Sequence, residues 1–398
     1  MKLINKKKKI IFFINHAAFF ISHRLPIAKK LINQGYDVIL ITGQAGSIEM
    51  EEFAIKKLQN YDIRHIRLAF KPSSTNLVVE LYSIIQLIYY LICLKSSLLH
   101  CVSPKAVLYG SIAAFFSRTK SLVVAMSGMG HIFTNPLKKS FLKRIIKFLY
   151  LNLLKTTFFL NTNLKVIVQN NDDYNFLLEL KMIDKNKLVL IKGSGVNLSK
   201  YVNTKIENKE KIVLLAGRML KEKGVYEFIS AAKKIKPSFP DWNFVLIGAA
   251  GYDNPSAISA EYLNKTMSDG IIKWLGHVNN IEDYMKKSSI VCLPSYREGM
   301  PKVLLEAAAA GCAVVTTDVP GCREAIIDNQ TGFIVPLYEQ EKLNEAILEL
   351  INNIKLREKF GKNNMIFASQ NFGIELVVDK HIEIYNDLLR NAQYKKNR

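Results

Sequence analysis

Short, wholly apolar runs alternate with longer stretches of helical period along most of this chain. Residues 9–15 (KIIFFIN) read as a buried strand and residues 21–34 as a helix ended by Gly35. Asp37–Thr42 (DVILIT) is a second strand and Ile48–Gln59 a second helix. Strands at Leu98–Val102, Leu122–Met126 and Val166–Val168 continue the alternation. Apolar strands separated by helices predict a mostly parallel sheet covered on both faces. Between Leu190 and Lys211 the rhythm lapses into a polar, turn-rich stretch that reads as a linker. It then restarts with strands at Ile212–Ala216, Phe244–Ile247, Ile271–Leu275, Ile290–Leu293, Ala313–Thr316 and Phe333–Val335. The expectation is an α/β chain of two doubly wound, Rossmann-like domains, residues 1–195 and 196–371, with a cleft between their strand C-termini. Residues 372–398 form a tail, with a helix over Phe372–Leu389 whose docking the pattern leaves open.

A length of 398 residues suits two cores better than one. Charge divides the chain unevenly. Of the net +21, residues 1–190 contribute 27 Lys and Arg against 10 Asp and Glu, and the remainder 28 against 24. A basic first half suits a polyanionic partner: an anionic membrane surface, nucleic acid or a phosphate-rich ligand. The five cysteines show no C-x-x-C and no ligand-like spacing, and read as reduced core residues of a cytosolic protein. The basic N-terminus is followed by only five apolar residues, too few for a signal sequence. Leu137–Leu160 carries Lys138, Lys139, Lys143, Arg144, Lys147 and Lys155 among Leu, Ile and Phe, as interfacial helices do. Leu77–Leu94 is more apolar, but Glu80, Ser83 and Gln86 make a buried domain helix the favoured reading there, with membrane contact second.

The candidate chemistry lies in the second half. In VCLPSYREGMPKVLLE (Val291–Glu306) a strand stops at Pro294, and Glu298-Gly299-Met300-Pro301 opens a helix that Gly311 ends. The N–H groups of Gly299 to Val303 lack intrahelical partners there, which makes an anion site. Glu298 sits before that helix and Glu306 within it, a pairing suited to a ligand with both phosphate and hydroxyl groups. In LLAGRMLKEKGVYEF a strand ends at Ala216 and a helix begins near Gly224, placing Arg218 and Lys223 at the corner. A guanidinium fork beside an ammonium suits a pyrophosphate.

Gly217-Arg218 with Lys223-Gly224, followed by Glu298-x7-Glu306 and by TGFIVP near Thr331, resembles the family 4 retaining glycosyltransferases of GT-B fold. The first half matches more loosely, through FFINHAAFFISHRLPIAKKL and the SGMGHIF segment near Gly128. The pattern is most similar to bacterial enzymes that extend undecaprenyl-linked oligosaccharides, in particular N-acetylgalactosaminyltransferases. The resemblance implies a UDP-sugar donor and a polyprenyl-diphosphate-linked saccharide acceptor. Arg218 and Lys223 would hold the donor diphosphate, with Gly299, Met300, Pro301 and Val303 lining it. Glu306 would take the ribose hydroxyls, and Glu298 would face the donor sugar as a catalytic residue. Asn15 and His16 would approach the donor after the first strand, where relatives often carry Gly and this chain has Ala17 and Ala18. In several family members a first-domain histidine lies near the reacting carbon, and the resemblance makes His131 the candidate for that catalytic role, against a plain loop-packing residue. The chain holds no Asp-x-Asp, so protein cations would replace a metal, and no cofactor is implied. Retention leaves front-face attack and a covalent adduct both open. The expected enzyme works on the cytosolic membrane face, held there through Leu137–Leu160.

Two rivals fit parts of the pattern. A UDP-sugar 2-epimerase on the same fold would bind the same donor but needs acid and base groups around the sugar C2. A nucleic-acid-binding protein would explain the charge, yet no such motif is present and the cations lie among apolar residues.

Overall fold

The computed structural model describes residues 7–43, 48–70, 76–128, 141–251, 254 and 256–394. Its chain divides into two compact units: Met1–Ile191 with Val377–Arg398, and Lys192–Leu376. His131, Lys138 and Lys139 lie outside the described residues.

The first unit is built on seven strands: β1 (Lys9–Ile14), β2 (Asp37–Thr42), β3 (Arg64–Arg67), β4 (Leu98–Val102), β5 (Leu122–Met126), β6 (Leu164–Val168) and β7 (Leu188–Leu190). Their order is β3-β2-β1-β4-β5-β6-β7, every neighbouring pair parallel. Residues 10–14 of β1 are at most 1% exposed, as expected of a central strand covered on both faces. Its helices are α1 (Ala17–His23), α2 (Leu25–Asn33), α3 (Ile48–Gln59), α4 (Leu77–Leu94), α5 (Pro104–Phe116), α6 (Phe141–Leu160) and α7 (Asn171–Glu179). The single helix expected over 21–34 is two. Arg24 breaks it, and Pro26, which has no N–H to give a preceding carbonyl, sits in the first turn of α2. β3 escapes the sequence pattern because an edge strand tolerates charge, and Arg64 and Arg67 are both exposed.

The strand crossovers place α4, α5 and α6 along one face of the sheet, with α5 packed between the other two. Here α4 departs from the expected buried helix. Leu77, Val78, Leu81, Tyr82, Ile85, Tyr89 and Ile92 are each more than half exposed, while Glu80, Ser83, Leu87, Leu91 and Leu94 are buried. Its polar side chains face inward because each finds a partner. Glu80 accepts from Lys105 Nζ (2.7 Å) and Tyr109 Oη (2.6 Å), Ser83 Oγ donates to the Val79 carbonyl, and Gln86 accepts the Ala69 N–H. Cys93, at the end of the same helix, is exposed, whereas the other four cysteines are buried core residues.

The second unit holds β8 (Glu210–Ala216), β9 (Asn243–Ile247), β10 (Lys273–Trp274), β11 (Ser288–Leu293), β12 (Ala313–Thr317) and β13 (Gly332–Val335). They form an all-parallel sheet in the order β10-β9-β8-β11-β12-β13. Between and after them run α8 (Val225–Ile235), α9 (Ala260–Ser268), α10 (Ile281–Lys287), α11 (Lys302–Ala309), α12 (Cys322–Ala325), α13 (Gln340–Asn352) and α14 (Ile354–Asn371).

The last helix, α15 (Ile374–Tyr394), answers the docking question left by the sequence: from Val377 onward it belongs to the first unit. Tyr385 Oη hydrogen-bonds His100 Nδ1 of β4, and the His100 and His381 rings stack with centroids 5.7 Å apart. Beside them lies Arg24, 2% exposed. Burial and the Arg24 charge keep both imidazoles neutral, pushing His100 well below its ordinary value and His381 down to about 3. Burial also lowers Arg24 itself to about 10. At the far end of the helix the Leu388 carbonyl accepts from Ser121 and Asn163.

Candidate functional site

Each sheet reverses its strand order once, between β1 and β4 in the first unit and between β8 and β11 in the second. Ligands of open α/β sheets bind beyond the strand C-termini at such points. In the second unit the two loops that leave β8 and β11 are joined at three places. Lys223 Nζ donates to Glu298 Oε1 at 2.5 Å, and the Tyr296 N–H donates to the Glu222 carbonyl at 2.9 Å. Gly224, at φ 71°, lies so close to Pro294 that a Cβ would stand 2.1 Å from its carbonyl oxygen. The sequence spacing named Lys223 and Glu298 separately; the fold makes them a pair.

Glu298 is held from several sides. Ser295 Oγ, fully buried, donates to the same carboxylate oxygen at 2.8 Å. The Glu298 N–H donates to the Pro320 carbonyl. Gly321, at φ 80°, lets the loop after β12 press onto this turn, since a Cβ there would meet the Gly299 carbonyl at 2.4 Å. Thr316 and Thr317 of β12 donate to the Leu293 and Ser295 carbonyls, fixing the end of β11. Tyr296 Oη donates to Glu227 of α8, and burial pushes its phenol above the ordinary range.

After this turn comes α11. Pro301 is its N-cap residue rather than its first helical residue, and its carbonyl takes the N–H of Leu304 and, more weakly, of Leu305. The Met300 and Val303 N–H groups have no acceptor among the described residues, and no side chain caps the helix. Such donors, with the positive end of the helix dipole, attract an anion. One turn further on, Glu306 Oε1 lies 3.5 Å from Lys302 Nζ. Burial raises the Glu306 carboxyl above its ordinary range, Lys302 pulls it down, and Glu282 adds to the rise. Tyr201, itself buried and raised chiefly by that burial, also feels the Glu306 charge.

Arg218 follows β8 on the loop that carries Lys223 but stays exposed, with no side-chain partner among the described residues. Thus Lys223 and Glu298 are brought into contact, and Glu306 follows on the helix that this turn begins. Arg218 shares their corner of the sheet without touching them. Ser295, Tyr296, Lys302 and Gly321 are additions that the sequence reading did not single out. Only Lys302 had a local signal, its i,i+4 spacing to Glu306.

Asn15 and His16 belong to the first unit. His16 caps α1, its Nδ1 accepting the Phe19 N–H at 3.2 Å. The N–H groups an incoming phosphate would use there are already taken. Glu51 of α3, 2% exposed, accepts the Ala17 N–H at 2.9 Å on each carboxylate oxygen and the Ala18 N–H at 3.3 Å.

Residues 200–365 match the family model "Glycosyl transferases group 1", and residues 9–163 match "Glycosyl transferase 4-like". The chain belongs to the glycosyltransferases. This glycosyltransferase is 29% identical over 394 residues to the N,N'-diacetylbacillosaminyl-diphospho-undecaprenol alpha-1,3-N-acetylgalactosaminyltransferase of Campylobacter jejuni, covering 96% of this chain and 99% of that one. It is 26% identical over 377 residues to an Escherichia coli UDP-Gal:alpha-D-GlcNAc-diphosphoundecaprenol alpha-1,3-galactosyltransferase, covering 91% and 92% of the two chains. Among solved structures it superposes on Anabaena HepE in complex with UDP and glucose with TM-score 0.74, at 18% identity over 96% of this chain and 100% of that one. A sucrose-phosphate synthase from Thermosynechococcus elongatus gives TM-score 0.76 at 18% identity, covering 96% of this chain and 100% of that one. The two parallel-sheet units of the glycosyltransferase are those of the GT-B fold.

Proposed function

We propose that this glycosyltransferase moves an N-acetylhexosamine from a UDP-sugar to a polyprenyl-diphosphate-linked saccharide, with retention at the anomeric carbon. The observation that carries the donor half is the Lys223–Glu298 pair standing beside the uncapped start of α11. In this reading a diphosphate enters between the two loops and takes hydrogen bonds from Lys223, Arg218 and the Met300 and Val303 N–H groups. As the bond from the sugar C1 to the phosphate oxygen breaks, negative charge grows on that oxygen, and these fixed donors stabilise it without reorganising. Protein cations then do what a metal does elsewhere. Glu306 accepts from the ribose hydroxyls, most strongly in its ionised form, in which both oxygens are acceptors. Glu298, anchored by Ser295, faces the sugar. The Campylobacter and Escherichia relatives, named for lipid-diphosphate acceptors, support the acceptor half.

The proposed place of work is the inner face of the cell membrane, reached peripherally. Support comes from α6, where Arg144 and Lys155 are exposed beside Ile146, Phe148, Leu149 and Phe159, with no acidic residue on the helix. Each such cation adds about 1 kcal/mol at an anionic surface. Nucleic acid has no part in the reading.

A donor panel tests it. Purified protein, UDP-sugars and a short polyprenyl-diphospho-sugar acceptor are incubated and read by mass spectrometry, with addition of one N-acetylhexosamine expected. Transfer from no UDP-sugar, or activity like the native enzyme's in both Arg218→Ala and Glu306→Ala, would remove the donor assignment.

A further inference from the structure

The outward face of α4 is inverted relative to a helix on a soluble domain. Its exposed positions, Val78, Leu81, Tyr82, Ile85, Tyr89 and Ile92, recur at three- and four-residue steps and form one stripe without a charged residue. Its polar positions point into the domain. A carboxylate at position 80 would be costly in hydrocarbon, but here it is buried against the Lys105 ammonium and the Tyr109 hydroxyl, so the outer face carries no polar debt. Beyond α5, which adds exposed Phe115 and Phe116, lies α6 with its exposed apolar residues and cations. Apolar side chains therefore run across three helices of one layer, with Arg118, Lys120, Arg144 and Lys155 exposed among or beside them.

We propose that α4 is a membrane-inserting helix: its outward stripe enters the acyl region of an anionic bilayer while the cations of α6 stay on the headgroups. This rests on the peripheral-membrane reading of α6 and extends it from electrostatic attraction to hydrophobic insertion. The charge argues for lipid over a second copy of the chain, because two copies meeting through this face would bring like-charged rims together. Its 18 residues, about 27 Å at 1.5 Å per residue, reach the length of a membrane span. Yet Leu87, Leu91 and Leu94 lie in the domain core and Glu80 is tied to α5, so the helix lies in the interface rather than crossing it.

The chain supplies its own probe site, since Cys93 is exposed at the end of α4 and the other four cysteines are buried. The full-length protein is labelled there with an environment-sensitive fluorophore. It is then mixed with vesicles of equal parts phosphatidylglycerol and phosphatidylcholine, with and without acyl-chain spin-labelled quencher. A Cys93→Ser/Phe148→Cys variant carries the same label on α6. Insertion predicts that the Cys93 label shifts to the blue and is quenched, and that the shift persists in high salt. It further predicts that Leu81→Ser/Ile85→Ser/Tyr89→Ser weakens vesicle partition at least about 30-fold with an unchanged Tm, since all three side chains are exposed. A response at position 148 with none at Cys93 overturns the α4 insertion and leaves the α6 reading standing. Silence of both labels removes both. A concentration-dependent dimer, abolished by the triple substitution in the absence of vesicle binding, would assign the face to a second copy.

Discussion

The starts of α1 and α11 each follow a strand that borders the reversal of strand order, β1 in the first unit and β11 in the second. They are finished in opposite ways. At α1 the protein brings its own anion: Glu51 fills the N–H groups of Ala17 and Ala18, and His16 caps the turn. At α11 a carboxylate is far nearer in the chain, but Glu298 is turned onto Lys223 and Ser295, leaving the Met300 and Val303 N–H groups without an acceptor among the described residues. A helix start beside the reversal is thus a closed structural corner in one unit and an open ligand corner in the other. What decides between them is where a single acidic side chain is anchored.

The largest test of this contrast is Lys223→Ala. Removing one fixed donor from a developing oxyanion lowers kcat by about 10²-fold or more, so a steady-state assay on the folded variant should show that loss, with a lowered Tm because Glu298 loses its partner. Retained activity would mean that the second corner is not where the diphosphate lies. Next, Glu51→Gln should cost roughly 2 kcal/mol of stability, from the loss of charge-assisted hydrogen bonds in a buried setting, and leave the donor KM unaltered. Denaturant unfolding beside donor titration measures both. A markedly lower donor KM in this variant would show that the first corner also takes phosphate and erase the distinction.

Acid should separate the units further. His100 and His381 titrate in the folded protein below their ordinary value, so the unfolded chain binds more protons once pH falls beneath about 6.5. The stability each contributes is complete above that pH. It falls by roughly 1 kcal/mol per pH unit below it, until the folded value, about 3 for His381, is reached. The only histidine between residues 192 and 376 is His277, which is exposed, so this loss belongs to the first unit. His381→Gln should flatten the acid limb of unfolding. The smallest effect is expected of Lys302→Met. Lys302 lowers the Glu306 carboxyl, so its removal lets burial raise that group further, and the acidic limb of donor binding should move to higher pH.

The two sheets were legible because buried parallel strands are written as unbroken apolar runs, and the turn at Glu298 because Pro294, Gly299 and Pro301 punctuate it. The residues of the donor corner were legible as types at a spacing, while their pairing was not. Lys223 and Glu298 are 75 positions apart, and only the strand order brings them together. Glu51 gave no signal at all, since a carboxylate on an amphipathic helix reads as solvated. For α4 the polar residues misled: Glu80 implied burial of the whole helix, when it marked the inner face alone. Short charged β3 and the two-helix break at Arg24 were lost for a similar reason, local composition giving way to a tertiary contact.

The return of α15 to the first unit bears on how the molecule is made. Arg24 and His100 are exported from the ribosome long before His381 and Tyr385, the side chains that lie beside them. During synthesis the first unit therefore waits, with a buried-to-be cation and an imidazole still wet, while the whole second unit emerges and can fold ahead of it. The half that begins the chain is the half completed last.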